Sequence, residues 1–242
     1  QQDAIRAQVE QTTIQTELVA LESEAHQADA RLNALLARPS GAPLAAPESL
    51  PMLPAAATLD ADSLLERVRQ RNPQIFSEDA RIKAAELSRE LSLKNRYPDF
   101  TLAITPTQMQ SRITEWGLML EMNIPLQQGT RRAQEREAQA MLEAAQSRRA
   151  AVSNQVASDL SENLAGLQSA QRTEQLLKTS LLPQAELTFQ AALAGYENGK
   201  LDFATLLDAQ RQIRQSRLGQ LKAQVDAQMR LAEIEKLLGE EL

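Results

Sequence analysis

The chain has 242 residues, of which 43% are hydrophobic but only 3% aromatic, and its formal net charge is −6. So few bulky rings favour thin helical layers over a thick core. Acidic and basic residues are interleaved without a basic stripe, which argues against nucleic acid as a partner. The absence of cysteine excludes disulfides and thiolate metal sites. No apolar run approaches the ~20 residues of a membrane-spanning helix.

The first 38 residues are predicted to form one helix, which Pro39 ends. Its apolar residues recur with helical spacing: Ile5, Val9, Ile14, Leu18, Leu21, Leu32, Leu35 and Leu36. His26 is the only histidine, and without a second His or Cys we interpret it as a surface residue rather than a metal ligand. Residues 39–59 follow as a proline-rich connector. It runs outside a helical wall or serves as a flexible linker, and its composition is compatible with both.

Two short helices are predicted within residues 63–95. The first runs from Ser63 to Arg71, is capped by Asp60 or Asp62 and stops at Asn72-Pro73. The second is expected from about Ser77 to Asn95.

Between residues 99 and 126 the apolar period changes to two, which predicts a pair of strands around a polar loop near residues 110–115. One face is apolar: Phe100, Leu102, Ile104, Trp116, Leu118, Leu120, Met122 and Ile124. A lone two-stranded ribbon is marginal in water, so these strands are expected to pair with others. The wall of a membrane β-barrel shows this alternation, and so does a half-buried soluble sheet.

A very long helix is predicted over residues 130–195, starting after Gly129. At 1.5 Å per residue these roughly 66 residues extend about 100 Å, which indicates a coiled coil, a helical array or a tunnel wall. Ala144, Ala151, Ser158 and Ala165 recur every seven residues and predict a seam of small side chains along it. A tight turn at 196–200 and a returning helix at 201–238 complete a helical hairpin.

The chain also contains an internal repeat. A shift of 202 residues without a gap places Ala7-Gln8 on Ala209-Gln210 and Leu35-Leu36 on Leu237-Leu238. The N-terminal helix is therefore interpreted as a second copy of the returning helix. By this reading residues 1–38 end a first repeat whose front is not in this chain, and residues 60–242 form the second repeat.

The order of these elements and motifs resembles the TolC-like outer-membrane efflux family. The resemblance rests on Asn72-Pro73, Tyr97-Pro98, Trp116-Gly117-Leu118, Ile124-Pro125-Leu126, Tyr196-x-x-Gly199-x-x-Asp202-Phe203 and Leu206-Leu207-Asp208-Ala209-Gln210. It covers essentially the whole chain, and the end of the first helix, Arg31 to Leu36, is similar to the same family.

The resemblance implies a mainly α-helical protein with a small β part. In the family, long antiparallel hairpins form an α-barrel tunnel in the periplasm, and β-hairpins contribute to a trimeric transmembrane β-barrel. The implied partners are two further copies of the chain, a periplasmic adaptor (membrane fusion) protein, an inner-membrane pump of the resistance-nodulation-division type, and outer-membrane lipid. The implied location is the outer membrane of a Gram-negative bacterium, in some members with a lipidated N-terminus. No cofactor is expected.

The family's gate can be transferred by residue. Asp208 matches a position whose carboxylates project into the narrow end of the tunnel, where three of them would favour cations. A second acidic ring found in a family member falls on Thr205 here, so a doubled ring is not expected. Tyr196 matches a residue that latches the closed state through an acidic partner, for which Asp3 stands here. Asn198, Gly199, Lys200 and Leu201 form the tip where an adaptor would dock.

Two other classes of function were weighed. An enzyme is disfavoured, because the sequence has no Cys nucleophile, metal-ligand cluster, phosphate-binding Gly-rich loop or His partner for a serine. The alternative is a structural coiled-coil protein or a periplasmic adaptor that docks on such a channel. The strand pair with Trp116 and the 202-residue duplication argue against it, since a plain coiled coil needs neither. The cargo, whether drug, metal ion or other, is not determined by the sequence.

Overall fold

The structure is a computed structural model that describes residues 2–45, 50–54, 59–109, 112–123 and 128–242. Its elements in chain order are helices α1 (Gln2–Leu35), α2 (Ala61–Arg71) and α3 (Pro73–Lys94), strands β1 (Asp99–Met109) and β2 (Arg112–Asn123), and helix α4 (Gln128–Leu176), followed by a π-helical turn (Leu177–Leu181) and helices α5 (Leu182–Glu197) and α6 (Phe203–Leu238). Among the helices of the described residues, none combines the length and apolarity needed to cross a bilayer.

The chain divides into two units. The first consists of residues 1–54 and 165–232, and the second of residues 55–164 and 233–242. Each unit therefore joins segments that are far apart in the sequence.

In the second unit, α2 and α3 are separated by a single residue, Asn72. The main-chain N–H groups of Gln74 and Ile75 donate to its side-chain oxygen at 2.9 and 3.2 Å, so Asn72 caps α3. Pro73 occupies the first helical position, where its missing N–H costs nothing. For this reason α3 begins at Pro73 and not near Ser77. At the start of α2, Asp60 is the N-cap and accepts from the Ser63 N–H at 3.0 Å.

The strand pair is an antiparallel hairpin whose register places apolar residues opposite each other. Phe100 faces Met122, Leu102 faces Leu120 and Ile104 faces Leu118. All seven described side chains of the predicted apolar face are between 50% and 73% exposed. Strand β2 begins at Arg112, so most of the predicted polar loop is strand instead. Ile124, Pro125 and Leu126 lie outside the described residues.

The second unit is fastened by contacts between distant segments. Arg67 and Arg71 of α2 both bind Glu240, with Arg67 Nε donating to Oε1 at 2.9 Å. Asn72 Nδ2 donates to the Leu237 carbonyl at 2.8 Å. The buried apolar residues here are Leu64, Val68, Ile75, Leu142, Val156, Leu160, Leu164, Ile234, Leu237 and Leu238.

The predicted long helix is present, but it is not regular throughout. It starts at Gln128, and a π-helical turn at Leu177–Leu181 divides it. Pro183 lacks an N–H and its ring crowds the carbonyl four residues back, so the preceding turn widens. The Leu182 N–H accordingly donates to the Leu177 carbonyl, five residues earlier.

The small-residue seam of α4 lies on its exposed side within this chain. Ala144, Ala151, Ser158 and Ala165 are all exposed, whereas Leu160, Leu164 and Leu167 are buried. The larger side chains face inward because they remove more apolar surface from water. On α6 the pattern is reversed in part: Ala209, Ala223 and Ala227 are buried, while the predicted stripe residues Leu218, Leu221 and Val225 are exposed.

In the first unit, α1 ends earlier than Pro39 requires. Ala37 has a φ of 53°, and the N–H groups of Ala37 and Arg38 donate to the carbonyls of Ala34 and Asn33 at 3.1 and 2.8 Å. These two bonds form the Schellman motif that closes a helix. The connector then packs on the helices of this unit, since Gln228 Nε2 donates to the Pro51 carbonyl at 2.6 Å.

Candidate functional site

The candidate site is the tip of the helical hairpin, where α5 turns into α6. Gly199 has a φ of 66°, and its neighbour Lys200 donates from its N–H to the Gly195 carbonyl at 2.8 Å. The Gly199 N–H donates to the Tyr196 carbonyl at 2.9 Å. This is again a Schellman closure, and it needs the left-handed backbone that glycine adopts freely.

Apolar packing fixes the shape of the tip. The rings of Tyr196 and Phe203 meet edge to face with centroids 5.9 Å apart. Leu201 lies over Gly195, so close that a Cβ added to Gly195 would stand 2.6 Å from Leu201 Cδ1. The predicted docking residues Asn198, Gly199, Lys200 and Leu201 are all exposed on this turn.

Asp202 begins α6 and was not expected as a capping residue. Its Oδ1 accepts from the Thr205 N–H at 2.9 Å and from the Thr205 hydroxyl at 2.6 Å. These two bonds, the hydroxyl first, lower the pKa of Asp202. Thr205, the residue at the position of a second acidic ring, is thus engaged by the helix cap. The Asp-x-x-Thr spacing is the sequence signal that identifies such a cap.

Asp208 lies on α6 within an ion-pair cluster that sequence analysis did not detect. Arg211 Nη1 donates to Asp208 Oδ1 at 3.2 Å, while Arg211 Nε and Nη2 donate to Glu10 Oε2 at 2.9 and 2.5 Å. Arg214 reaches Glu10 Oε1 at 3.4 Å and Glu17 Oε2 at 2.5 Å. Glu10, Glu17, Asp208, Arg211 and Arg214 are called the carboxylate–arginine cluster below.

The two ends of this cluster differ in exposure. The Glu10 side chain is 9% exposed and that of Asp208 is 67% exposed. The Arg211 guanidinium, first through its hydrogen bonds, holds the pKa of the Glu10 carboxyl below its ordinary value against the opposing effect of burial. The seven-residue spacing of Glu10 and Glu17 places both on one face of α1, and this was the available sequence signal.

Asp3 lies in the first turn of α1 and is exposed. Across the described residues no hydrogen bond joins Asp3 to the Tyr196 hydroxyl, and the latch between them stays a prediction. Nor do the described His, Asp and Glu residues form a group of three or more that could hold a metal ion.

A β-hairpin with one apolar face, followed by a long helical hairpin, is the arrangement found in solved outer-membrane channels. The outer-membrane channel OprN aligns over 99% of this chain and 55% of its own length, with a TM-score of 0.85 and 21% identity. The outer membrane protein VceC of Vibrio cholerae aligns over 99% of this chain and 58% of its own, with a TM-score of 0.82 and 17% identity. At such identities the likeness concerns the fold.

The sequence comparisons place the chain within a family. Residues 64–240 match the outer membrane efflux protein family, and the chain belongs to that family. Its members are channel proteins rather than enzymes. The cobalt-zinc-cadmium resistance protein CzcC of Cupriavidus metallidurans is 25% identical over 98% of this chain and 56% of its own length. The chain thus spans about half the length of this curated relative, and the resemblance seen in the sequence is confirmed.

Proposed function

We propose that this protein is the exit channel of a tripartite efflux system, located in the outer membrane of a Gram-negative bacterium and extending into the periplasm. The observation that carries the proposal is the hairpin with one uniformly apolar face in a member of the outer membrane efflux protein family. Its strands of 11 and 12 residues are long enough to cross a bilayer when tilted. The apolar face contacts lipid in this proposal, and strands from further copies complete a barrel.

The working assembly is a homotrimer that binds a periplasmic adaptor and, through it, an inner-membrane pump. The exposed tip at residues 198–201 is the proposed docking surface. Its support is the double constraint on the turn, the Schellman closure at Gly199 and the packing of Leu201 on Gly195. A rigid, exposed turn binds a partner without first losing conformational freedom.

The gate is proposed at Asp208, with Tyr196 and Asp3 as a closed-state latch. Asp208 is more exposed than any other carboxylate of its cluster, and three copies around an axis would attract cations at short range. Thr205 has no charge and serves the helix cap, so one acidic ring is expected there. Divalent cations are the proposed cargo, supported by this charge and by the name of the CzcC relative.

The test is single-channel conductance of the purified trimer in a planar bilayer, before and after Asp208→Ala. We expect cation-selective current steps in the wild type and a clear loss of selectivity in the variant. Asp226→Ala is the matched control, because Asp226 is an exposed carboxylate further along α6 and should leave selectivity unchanged. A folded trimer without any current contradicts the channel function and favours the structural coiled-coil alternative. Equal selectivity in Asp208→Ala and the wild type contradicts the acidic ring alone.

A further inference from the structure

The carboxylate–arginine cluster distributes its charges unevenly. Three carboxylates face two guanidiniums, so one negative charge is left over. The position of that charge depends on how the two arginines are shared.

Arg211 is shared between two carboxylates of different strength. It gives two short N–H donors to Glu10 and one longer contact to Asp208. Glu10 is nearly buried, so its charge is poorly solvated and needs the guanidinium, whereas water can solvate exposed Asp208.

Arg214 removes the remaining ambiguity. It binds Glu17 at 2.5 Å and supports Glu10 at 3.4 Å, which pairs off both carboxylates of α1. The unpaired negative charge of the cluster therefore resides on Asp208 of α6. The pairing also crosses from α1 to α6, since Glu10 and Arg211 are 201 residues apart in the chain.

We propose that Glu10 is a positioning residue that holds the Arg211 guanidinium away from Asp208 and so keeps the Asp208 carboxylate charged toward the conduction path. This inference rests on the proposed channel function and adds the element that sets the strength of its acidic ring. Without Glu10, Arg211 is released to pair fully with Asp208 three residues earlier on the same helix, and the ring loses its attraction for cations.

The test is the reversal potential of the reconstituted channel in a KCl gradient, which reports the permeability of cations relative to anions. Glu10→Gln should lower cation selectivity to the level of Asp208→Asn. Adding Arg211→Gln to Glu10→Gln should recover most of that loss, because no guanidinium then remains to neutralise Asp208. Glu22→Gln is the control for general charge loss, since it removes an exposed carboxylate elsewhere on α1 and should change nothing.

Two further measurements keep the inference open to refutation. In an Asp208→Asn background, Glu10→Gln should have no additional effect on selectivity, whereas a purely structural role for Glu10 would act in both backgrounds. Arg211→Gln alone should give selectivity equal to or above the wild type, and it serves if Glu10→Gln does not assemble. A decrease in that single variant overturns the proposal while leaving Asp208 as the ring. A wild-type trimer that passes no current contradicts the channel function itself.

Discussion

Ala37 shows how a single residue records the history of the chain. It has a φ of 53°, and Gly239, at the equivalent position 202 residues later, has a φ of 71°. The neighbouring positions agree as well. Asn33 Nδ2 binds the Ser40 carbonyl at 3.2 Å, and its counterpart Glu235 binds the Leu242 N–H at 3.0 Å, seven residues on in both cases. The two repeats therefore end their returning helices with the same local geometry.

The left-handed backbone at Ala37 predicts a stabilising substitution. Ala37→Gly should stabilise the protein by about 0.5–1 kcal/mol, because the steric penalty of an L-residue in this region exceeds the entropy that glycine loses on folding. The measurement is the midpoint of thermal unfolding of the purified protein. Ala34→Gly, three residues earlier within α1, is the matched control and should lower the midpoint. A fall in the midpoint for Ala37→Gly would show that no such penalty exists.

At the scale of elements, the hairpin gives the sharpest contrast between two faces. Leu118 and Met119 are adjacent in β2 and similarly exposed, at 73% and 54%, but they lie on opposite faces because side chains alternate along a strand. The proposed lipid contact concerns the face of Leu118 alone.

Leu118→Arg should therefore reduce membrane insertion strongly, since an arginine on the lipid face near the membrane centre costs about 2–4 kcal/mol. Met119→Arg, the matched control, should insert nearly as well as the wild type. The measurement is the fraction of protein recovered as trimer from the outer-membrane fraction. Equal recovery of the two variants would contradict the assignment of the faces.

At the scale of the whole molecule, contacts between distant segments hold each unit together. Glu240 binds Arg67 and Arg71 across more than 160 residues of chain. The pKa of Glu240 is lowered, first by the hydrogen bond from Arg67 and also by the positive charges of both arginines. A carboxyl with a lowered pKa in the folded state stabilises the fold above its unfolded pKa, and this contribution is lost as the pH falls through the folded value.

This pairing predicts an acid-sensitive contribution to stability. Glu240→Gln should lower the unfolding midpoint at neutral pH, and the gap from the wild type should close below about pH 4.3, the ordinary glutamate value. Glu241→Gln, which changes an exposed neighbour, should leave the midpoint unchanged at every pH. Thermal unfolding from pH 7 to pH 3 provides the comparison. A gap that does not change with pH would show that the charge of Glu240 is not what binds α2.

The sequence by itself determined the features that depend on local pattern. The period-two alternation identified the hairpin and its apolar face, Tyr196-x-x-Gly199 identified the turn, and the 202-residue shift identified the repeat. Each of these signals lies within a few residues or recurs at a fixed distance, so it can be read without knowing what packs on what.

Only the tertiary structure decided which charges meet and which faces are buried. Glu10 and Arg211 lie on helices 201 residues apart, and no local spacing announces their pairing. The small-residue seam of α4 has a regular period, yet the leucines beside it are the buried ones. Periodicity shows that a helix has a stripe, but the partner that covers it is set by the packing of distant segments, because burial and ion pairing depend on all the elements that meet at one place.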